Sequence, residues 1–596
     1  LAAGAVQAIG GDASGTNVLS INGVARTVAA RAGDRINIKD LGAIGDGTVH
    51  QLSERYATLA AAQAVYPAAT ALTQSIDSCA LQRAIDILAA ASNPGGEVYA
   101  PVGVYVCDPI TIRDRVIIAG DSITSTAFQL RAQSNADFFT TAGFAALKGQ
   151  NKWKSSEGVP GWLGFRKCRI DGNKANQTIS ASGVGNGLST YARALMLNEV
   201  VIHACFNSGI YSECGINPTI VDWYDLCEGN AGPVWIWNCG GIGWQMRGPH
   251  DQRISHLIIA LCGGIGLSVE SAANAYSGSC DIGFAHFYAN GGRGFYCNAT
   301  QFRCQQLISE SNFAEGIYLD SSACQFLNIQ CYNNCRSSGT FNIVLSSLTA
   351  ANFMPNTQIN QMATSTVGGI QIAGQRNRVV CTVDGSVVTG GTSGGVGIDL
   401  VGGSKFNIVE GSAQNFAATG GIGLRINNGG ASQFNMVKAV LSACTSLLNN
   451  AGFGNDNEYD LRGYFDTTTT PAQAAFSGPG APNNGGTSGV TEVFDVVFRN
   501  QAGVDYRSRT RQQNATAINL NSTAEQTFTF NHFLLYTPTP QSCGLSIYYT
   551  GSDNAWSVAY MRIQAITSTT IIATVKLATA ATAASQTATL CLTAEI

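Results

Sequence analysis

Short apolar runs recur along the chain from about residue 195, each alternating with polar positions: "RISHLII", "DIGFAHF", "QQLISES", "FLNIQCY", "NRVVCTV", "KFNIVEG" and "QFNMVKA". A period of two marks a strand with one face buried. A second signal keeps step with these runs, a glycine followed by an apolar residue. It occurs in "NSGIY" at Asn207, "NCGGIGW" at Asn238, "LCGGIGL" at Leu261, "NGGRGFY" at Asn290, "FAEGIYL" at Phe313, "VGGIQI" at Val367, "GGVGIDL" at Gly394 and "TGGIGLR" at Thr419. Gly241 to Gly264 is 23 residues, Gly294 to Gly316 is 22 and Gly369 to Gly397 is 28. Two or three short strands per repeat, at a period in the twenties, predict the stacked turns of a parallel β-helix. The fixed leucine pattern of leucine-rich repeats is absent, and the density of Gly and Asn excludes helical repeats.

One segment breaks this texture. In "SIDSCALQRAIDILAAA" the apolar residues Ile76, Leu81, Ala84, Ile85 and Leu88 fall at helical spacing, with Asp77 or Ser78 as N-cap. The strand pattern "GGEVYAPVGVYVC" follows. Residues 1–35 read as a stem or linker, 36–470 as the β-helix (36–110 its entry strand, capping helix and first turns) and 471–490 as a low-complexity linker. In 491–596, "TEVFDVVFRN", "QTFTFNHFLLY" and "CGLSIYYTG" predict antiparallel strands in a β-sandwich-like domain. The fold class is thus all-β.

Composition narrows the partners. The 596 residues are 45% hydrophobic but only 12% charged, with net charge −4, so the chain is folded and near-neutral at its surface. No cluster of Lys and Arg offers a nucleic acid its counter-charges. No apolar stretch approaches a membrane span. The chain begins at Leu1, read as the truncated end of a longer protein. Its 18 cysteines stand singly, without CxxC pairs, and are expected as reduced core residues in a protein assembled in a cytoplasm.

"INIKDLGAIGDG" from Ile36, "DSCALQRAIDILAA" and "GGEVYAPVGVY" come in the order strand, GA-x-GDG, Asp-led helix, GG-x-V-x-x-P-x-G-x-Y. This entry resembles that of the pectate-lyase-like right-handed β-helices of bacteriophage tailspikes. The chain departs from the pattern where an acidic pair normally follows GDG; "TVHQLSERYATLAAAQAVYPAATAL" intervenes instead. The resemblance implies a homotrimer on a virion tail, joined to the tail through a missing N-terminal part and assembled in the bacterial host's cytoplasm. It implies action outside the target cell, by binding and depolymerising capsule or the O-antigen of lipopolysaccharide. It further implies a C-terminal domain for trimerisation or sugar contact.

Candidate chemistry follows from alignment of the repeats. The pairs Ile254–His256, Phe284–His286 and Ile308–Glu310 place His256, His286 and Glu310 in one column, outward if the strand bends there. In the strands after the glycine signal, Glu213, Gln245, Ser268 and Asp320 align, with Arg247 and Glu270 two residues further; Tyr211 and Tyr318 share an outward column. Carboxylates bind sugar hydroxyls and aromatic rings stack on sugar faces. Glycoside hydrolysis needs two carboxyl groups, about 5–5.5 Å apart for retention and 6.5–9.5 Å for inversion. Glu310 and Asp320 are the expected acid/base pair, with Glu270 in reserve and His286 as a further catalytic candidate. His256, Tyr288, Arg293, Tyr318, Arg247 and Glu315 are the expected substrate-binding residues. A polysaccharide lyase would instead draw its base and charge stabiliser from His256, His286, Tyr288 and Arg293. A non-catalytic adhesin would use the same groove to hold glycan. Trp223, Trp235 and Trp237 are read as buried structural residues, with a sugar platform as the alternative. No cofactor or metal is expected: HExxH, EF-hand and GxSxG patterns are missing, and the glycines of "CGGIGLSVE" and "GGRGFYCNA" open no helix.

Overall fold

The computed structural model describes residues 18–21, 24–27, 35–91, 94–215, 228–272, 275–276, 278–428, 432–450, 458–464, 476–477, 493–499, 505–510, 512–531, 543–548, 556–567, 570–581 and 587–594. They fall in two compact units, residues 1–329 and 330–596.

The first unit begins with an antiparallel hairpin of Val18–Ile21 and Val24–Thr27, within the stretch expected as a stem. Arg35–Asn37 then pairs in parallel with Gly96–Tyr99, which pairs with Val116–Ala119. The helix Ile76–Ala89 lies between them in sequence and buries Ile76, Leu81, Ala84, Ile85 and Leu88, the predicted stripe. Its N-cap is Ser75, whose hydroxyl accepts from Asp77 N, two residues before the earlier of the two expected caps. Asp77 is free to reach back to the GA-x-GDG loop: its Oδ1 accepts from Ile44 N at 2.6 Å and Gly45 N at 3.3 Å. Burial pushes this carboxyl up despite those N–H donors.

Gly45 sits at φ +70°, and a Cβ there would lie 2.5 Å from the Tyr105 ring. Gly45→Ala is therefore expected to destabilise the entry by about 1–3 kcal/mol, read as a lower denaturation midpoint. The stretch after GDG is tied down locally. His50 lies between Asp46 (Nε2 to Oδ2, 3.0 Å) and Glu54 (Nδ1 to Oε2, 2.8 Å), and Tyr66 OH donates to Leu41 O at 2.7 Å. Those hydrogen bonds raise the imidazole pKa.

Beyond the entry, two parallel ladders build the turns. Long strands Leu163–Asp171, Leu195–His203, Val234–Trp237, Arg253–Ala260, Asp281–Tyr288 and Arg303–Glu310 stack in one sheet. Short strands Leu188–Tyr191, Ile210–Glu213, Trp244–Arg247, Leu267–Val269, Phe295–Cys297 and Ile317–Leu319 stack in a second. Leu257, Ile259, Phe287 and Leu307 from the first, with Trp244, Leu267, Phe295 and Ile317 from the second, are fully or almost fully buried. The thiols of Cys205, Cys239 and Cys262 are buried with them, free as expected.

The recurring glycine has a steric cause. A Cβ at Gly243 would lie 2.6 Å from Gly266 O and 2.2 Å from Ile259 Cγ2, so the next turn's carbonyl fills that space. The last four of these long strands are each followed by a residue with positive φ (Asn238, Leu261, Ala289, Ser311), which turns the chain toward the short strand.

The long strands also bend. Ser255 and His256, Gly283 and Phe284, and Gln305 and Gln306 are consecutive outward residues where strict alternation would bury one. His256, His286 and Glu310 all face outward in consequence. They do not form one column, however: His256 pairs with Phe284, His286 with Ile308, and Tyr288 with Glu310. The sequence alignment slips by two residues per turn because the turns between strands differ in length.

The second unit repeats the pattern. Phe353–Asn360, Arg378–Asp384, Ile408–Phe416, Met436–Cys444, Glu458–Tyr464 and Val493–Arg499 pair in parallel in that order. A ladder of buried asparagines runs through the turns before these strands. Asn352 Nδ2 donates to Asn377 Oδ1 at 3.0 Å, Asn377 to Asn407 at 3.0 Å, and Asn407 to Asn435 at 2.9 Å.

The parallel ladder thus reaches Arg499, past the boundary at 470 expected from sequence. "TEVFDVVFRN" alternates, but alternation does not distinguish a parallel from an antiparallel neighbour. Antiparallel pairing starts with Asp505–Thr510. Two three-stranded antiparallel sheets follow, Gln512–Asn519 with Thr587–Ala594 and Cys543–Tyr548, and Gln526–Asn531 with Thr570–Thr579 and Ser557–Ile566. Their shared core contains Ile518, Phe530, Ile571, Val575, Leu590 and Leu592, the expected sandwich-like packing. Most of the expected linker 471–490 lies outside the described residues.

Candidate functional site

The short-strand sheet of the first unit presents two outward columns. One runs Tyr211, Gln245, Ser268, Tyr296, Tyr318. Tyr211 and Tyr318 do share a column, as expected. The other lies two residues further along each strand: Glu213 opposite Arg247, then Glu270, Asn298 and Asp320. The backbone N–H groups of these last three donate to Met246 O, Val269 O and Cys297 O, which continues the ladder. The sequence alignment placed Glu213 and Asp320 with Gln245 and Ser268; the register moves both to the column of Arg247 and Glu270. The error came from "GGIG", where the last of the three glycines (Gly243, not Gly241) matches the glycine before Ile210 and Ile317.

The columns are bonded to one another. Glu213 is fully buried; its Oε1 accepts from Gly149 N at 2.6 Å, and its Oε2 accepts from Tyr211 OH. Arg247 Nη1 donates to Tyr211 OH at 3.1 Å and lies 3.5 Å from Glu213 Oε2. Burial, reinforced by the Glu213 carboxylate, raises the Tyr211 phenol well above its usual pKa. Arg247 Nε stands 3.6 Å from Glu270 Oε2. Glu270 Oε1 accepts from Gln245 Nε2 at 3.0 Å and from Ser268 Oγ at 2.7 Å.

Asp320 carries one donor, Tyr296 OH, at 3.2 Å from Oδ2. Burial and the Asp320 charge push the Tyr296 phenol up to about 12, so it stays a donor at neutral pH. Arg293 Nε donates to Glu315 Oε2 at 2.9 Å, and its guanidinium lies 3.7 Å from the centre of the Tyr318 ring. Arg247, Glu270, Arg293, Glu315, Tyr318 and Asp320 thus gather on this side. Tyr296 and Gly149 were missed: Tyr296 follows the atypical "GGRGF", and Gly149 arrives from 64 residues away.

His256, His286, Tyr288 and Glu310 lie on the long-strand sheet instead. His286 Nε2 meets Glu310 Oε1 at 3.1 Å, and its ring centre is 4.9 Å from that of Tyr288. His256 stacks on Phe284 at 4.6 Å. Among the described residues no hydrogen bond or ion pair joins Glu310 to Asp320. Trp235 and Trp237 also face outward here, against expectation, because Val234 and Ile236 take the inward positions; Trp237 is 47% exposed. Trp223 lies outside the described residues. Among the described residues no group of His, Cys, Asp and Glu side chains is placed to hold a metal ion, and no helix is long and apolar enough to cross a membrane.

No protein-family model matches the chain, and no curated protein matches it in sequence. Among solved structures, the tailspike protein of E. coli bacteriophage HK620 in complex with pentasaccharide matches over 96% of this chain and 96% of that one. The TM-score is 0.51 at 11% identity. This chain has the right-handed parallel β-helix fold of phage tailspikes. A mutant of that same tailspike, also with pentasaccharide, matches at TM-score 0.51 and 11% identity over 97% of this chain and 96% of that one. The A-module of a mannuronan C-5 epimerase from Azotobacter vinelandii matches at TM-score 0.44 and 15% identity, covering 70% of this chain and 98% of that one. At these identities the tailspike likeness speaks to fold; chemistry has to be argued from the columns themselves.

Proposed function

We propose that this chain is a phage tailspike that binds and depolymerises a bacterial surface polysaccharide, O-antigen or capsule, by endo-glycosidic hydrolysis. It acts as a homotrimer on the virion tail. The supporting observation is the column of Glu270, Asn298 and Asp320. Two carboxylates on one outward face, with one turn between them, stand about 9.6 Å apart at the backbone. Flexing side chains bring them into the range of about 6.5–9.5 Å that suits an inverting pair with a water between.

Glu270 replaces Glu310 in the pair, since Glu310 belongs to the other sheet and is bound to His286. Both oxygens of Glu270 face donors, which suits the base that accepts a proton from water. Among the described residues Asp320 Oδ1 meets no donor, and Asp320 is the acid toward the leaving sugar. Tyr296, Tyr318 and Arg293 line the same face to hold sugar rings and hydroxyls.

A lyase reading rests on one observation, the close pairing of His286 with Tyr288 beside Glu310. Incubation with purified capsule or lipopolysaccharide separates these chemistries. Hydrolysis is expected to shorten the polymer and raise new reducing ends without ultraviolet-absorbing unsaturated sugars. Unsaturated ends would instead establish β-elimination, and a polymer bound but left intact would make the chain an adhesin.

A further inference from the structure

The long-strand sheet carries its own outward column, in register turn by turn: Asp171, His203, Trp237, Ala260, Tyr288, Glu310. Beside it stand Trp235 and His286, then His256 stacked on Phe284. We propose that this face is a second carbohydrate-binding track, centred on Trp237, that holds a neutral stretch of polysaccharide without cutting it. The proposal rests on the reading of the chain as a polysaccharide-binding protein, but not on hydrolysis.

Three features favour a sugar over other occupants. First, an indole left 47% exposed is an unusual use of the largest apolar side chain, and it offers a flat stacking face. The turn after it supplies only Ala260, so the column steps from large to small to large across Trp237, Ala260 and Tyr288. Second, the far end of the column carries groups that bond hydroxyls. At the near end His203 Nε2, 3.7 Å from Asp171 Oδ2, is closed to solvent. His286 and Glu310 close the other end. Third, the two carboxylates of the column are matched by Arg169, in the flanking line of Trp235 and His286, and by Lys174, bonded to Asn238, so the face offers an anionic polymer no excess of positive charge. The aromatic residues repeat along the axis in steps of one strand spacing, about 4.8 Å, so the track is linear, as a polymer requires.

The test uses the full chain and the purified surface polysaccharide of a strain whose polymer it binds. Trp237→Ala is expected to weaken binding of long polymer by about tenfold, while cleavage of short oligosaccharide fragments proceeds at the wild-type rate. Trp237→Phe, which keeps a stacking ring, is expected to retain most of the affinity. Unchanged long-polymer affinity in Trp237→Ala would overturn the track and leave the hydrolysis reading standing. A changed oligomeric state in light scattering would overturn it too, by showing that a second copy of the chain covers Trp237. If the wild-type protein binds polymer but cleaves none, the hydrolysis reading fails and the affinity comparison still decides the track.

Discussion

Asp320→Asn is expected to slow polymer cleavage by about 10²–10⁴-fold, the usual worth of a positioned proton donor, while polymer binding persists. The amide keeps the shape of the carboxylate and an oxygen to accept from Tyr296 OH, so the column is not disturbed. What it loses is the ability to give a proton to the departing sugar. Glu310→Gln provides the contrast. Glu310 bonds to His286 on the other sheet, so its amide should cut short oligosaccharide fragments at close to the wild-type rate. Counting reducing ends released by the two variants checks both statements. Full activity in Asp320→Asn, or a collapse in Glu310→Gln, would move the chemistry to the long-strand sheet.

The second large effect concerns stability. Asn377→Ala in the second unit removes the acceptor for both Asn352 N, at 3.1 Å, and Asn352 Nδ2, at 3.0 Å. Both donors sit at a residue that is almost fully buried, where no water replaces the lost oxygen. Each lost hydrogen bond costs about 0.5–1.5 kcal/mol, for a total of about 1–3 kcal/mol. Asn407 Oδ1 loses a donor as well but keeps the Asn377 backbone N–H at 2.9 Å, so it adds little. Denaturant titration should show a lower midpoint for this unit. An unchanged midpoint would mean that the ladder is dispensable.

The β-helix was legible because its two requirements are written in residue types. Inward positions demand apolar residues at a period of two, as in Leu257 and Ile259. The position facing the next turn's carbonyl demands glycine, as at Gly243 and Gly266. The helix of the entry showed itself by the spacing of Ile76, Leu81, Ile85 and Leu88. Register was not legible in the same way. Turn lengths vary, the long strands bend at Ser255 and Gly283, and "GGIG" presents three glycines, of which the last, Gly243, and not Gly241, leads into the short strand and faces Gly266 O of the next turn.

Those ambiguities account for the misaligned histidine column and for Glu213 and Asp320 being set two residues from their true neighbours. The strand "VWIW" is apolar at every position, so its pattern could not tell which pair faces inward. Packing decided it, with the β-branched Val234 and Ile236 inside and the two indoles outside. Glu213 illustrates a further limit: its burial depends on Gly149 N, a contact that no local pattern announces.

The glycines at the close approach between turns make the ladder a ruler. With Gly266 O only 2.6 Å from where a Cβ on Gly243 would lie, the separation of neighbouring turns there cannot relax to suit a different ligand. Distances along any outward column are therefore quantised in whole turns. A change of ligand has to come from exchanging side chains within a column, or from lengthening the loops between strands, while the graduation itself stays constant.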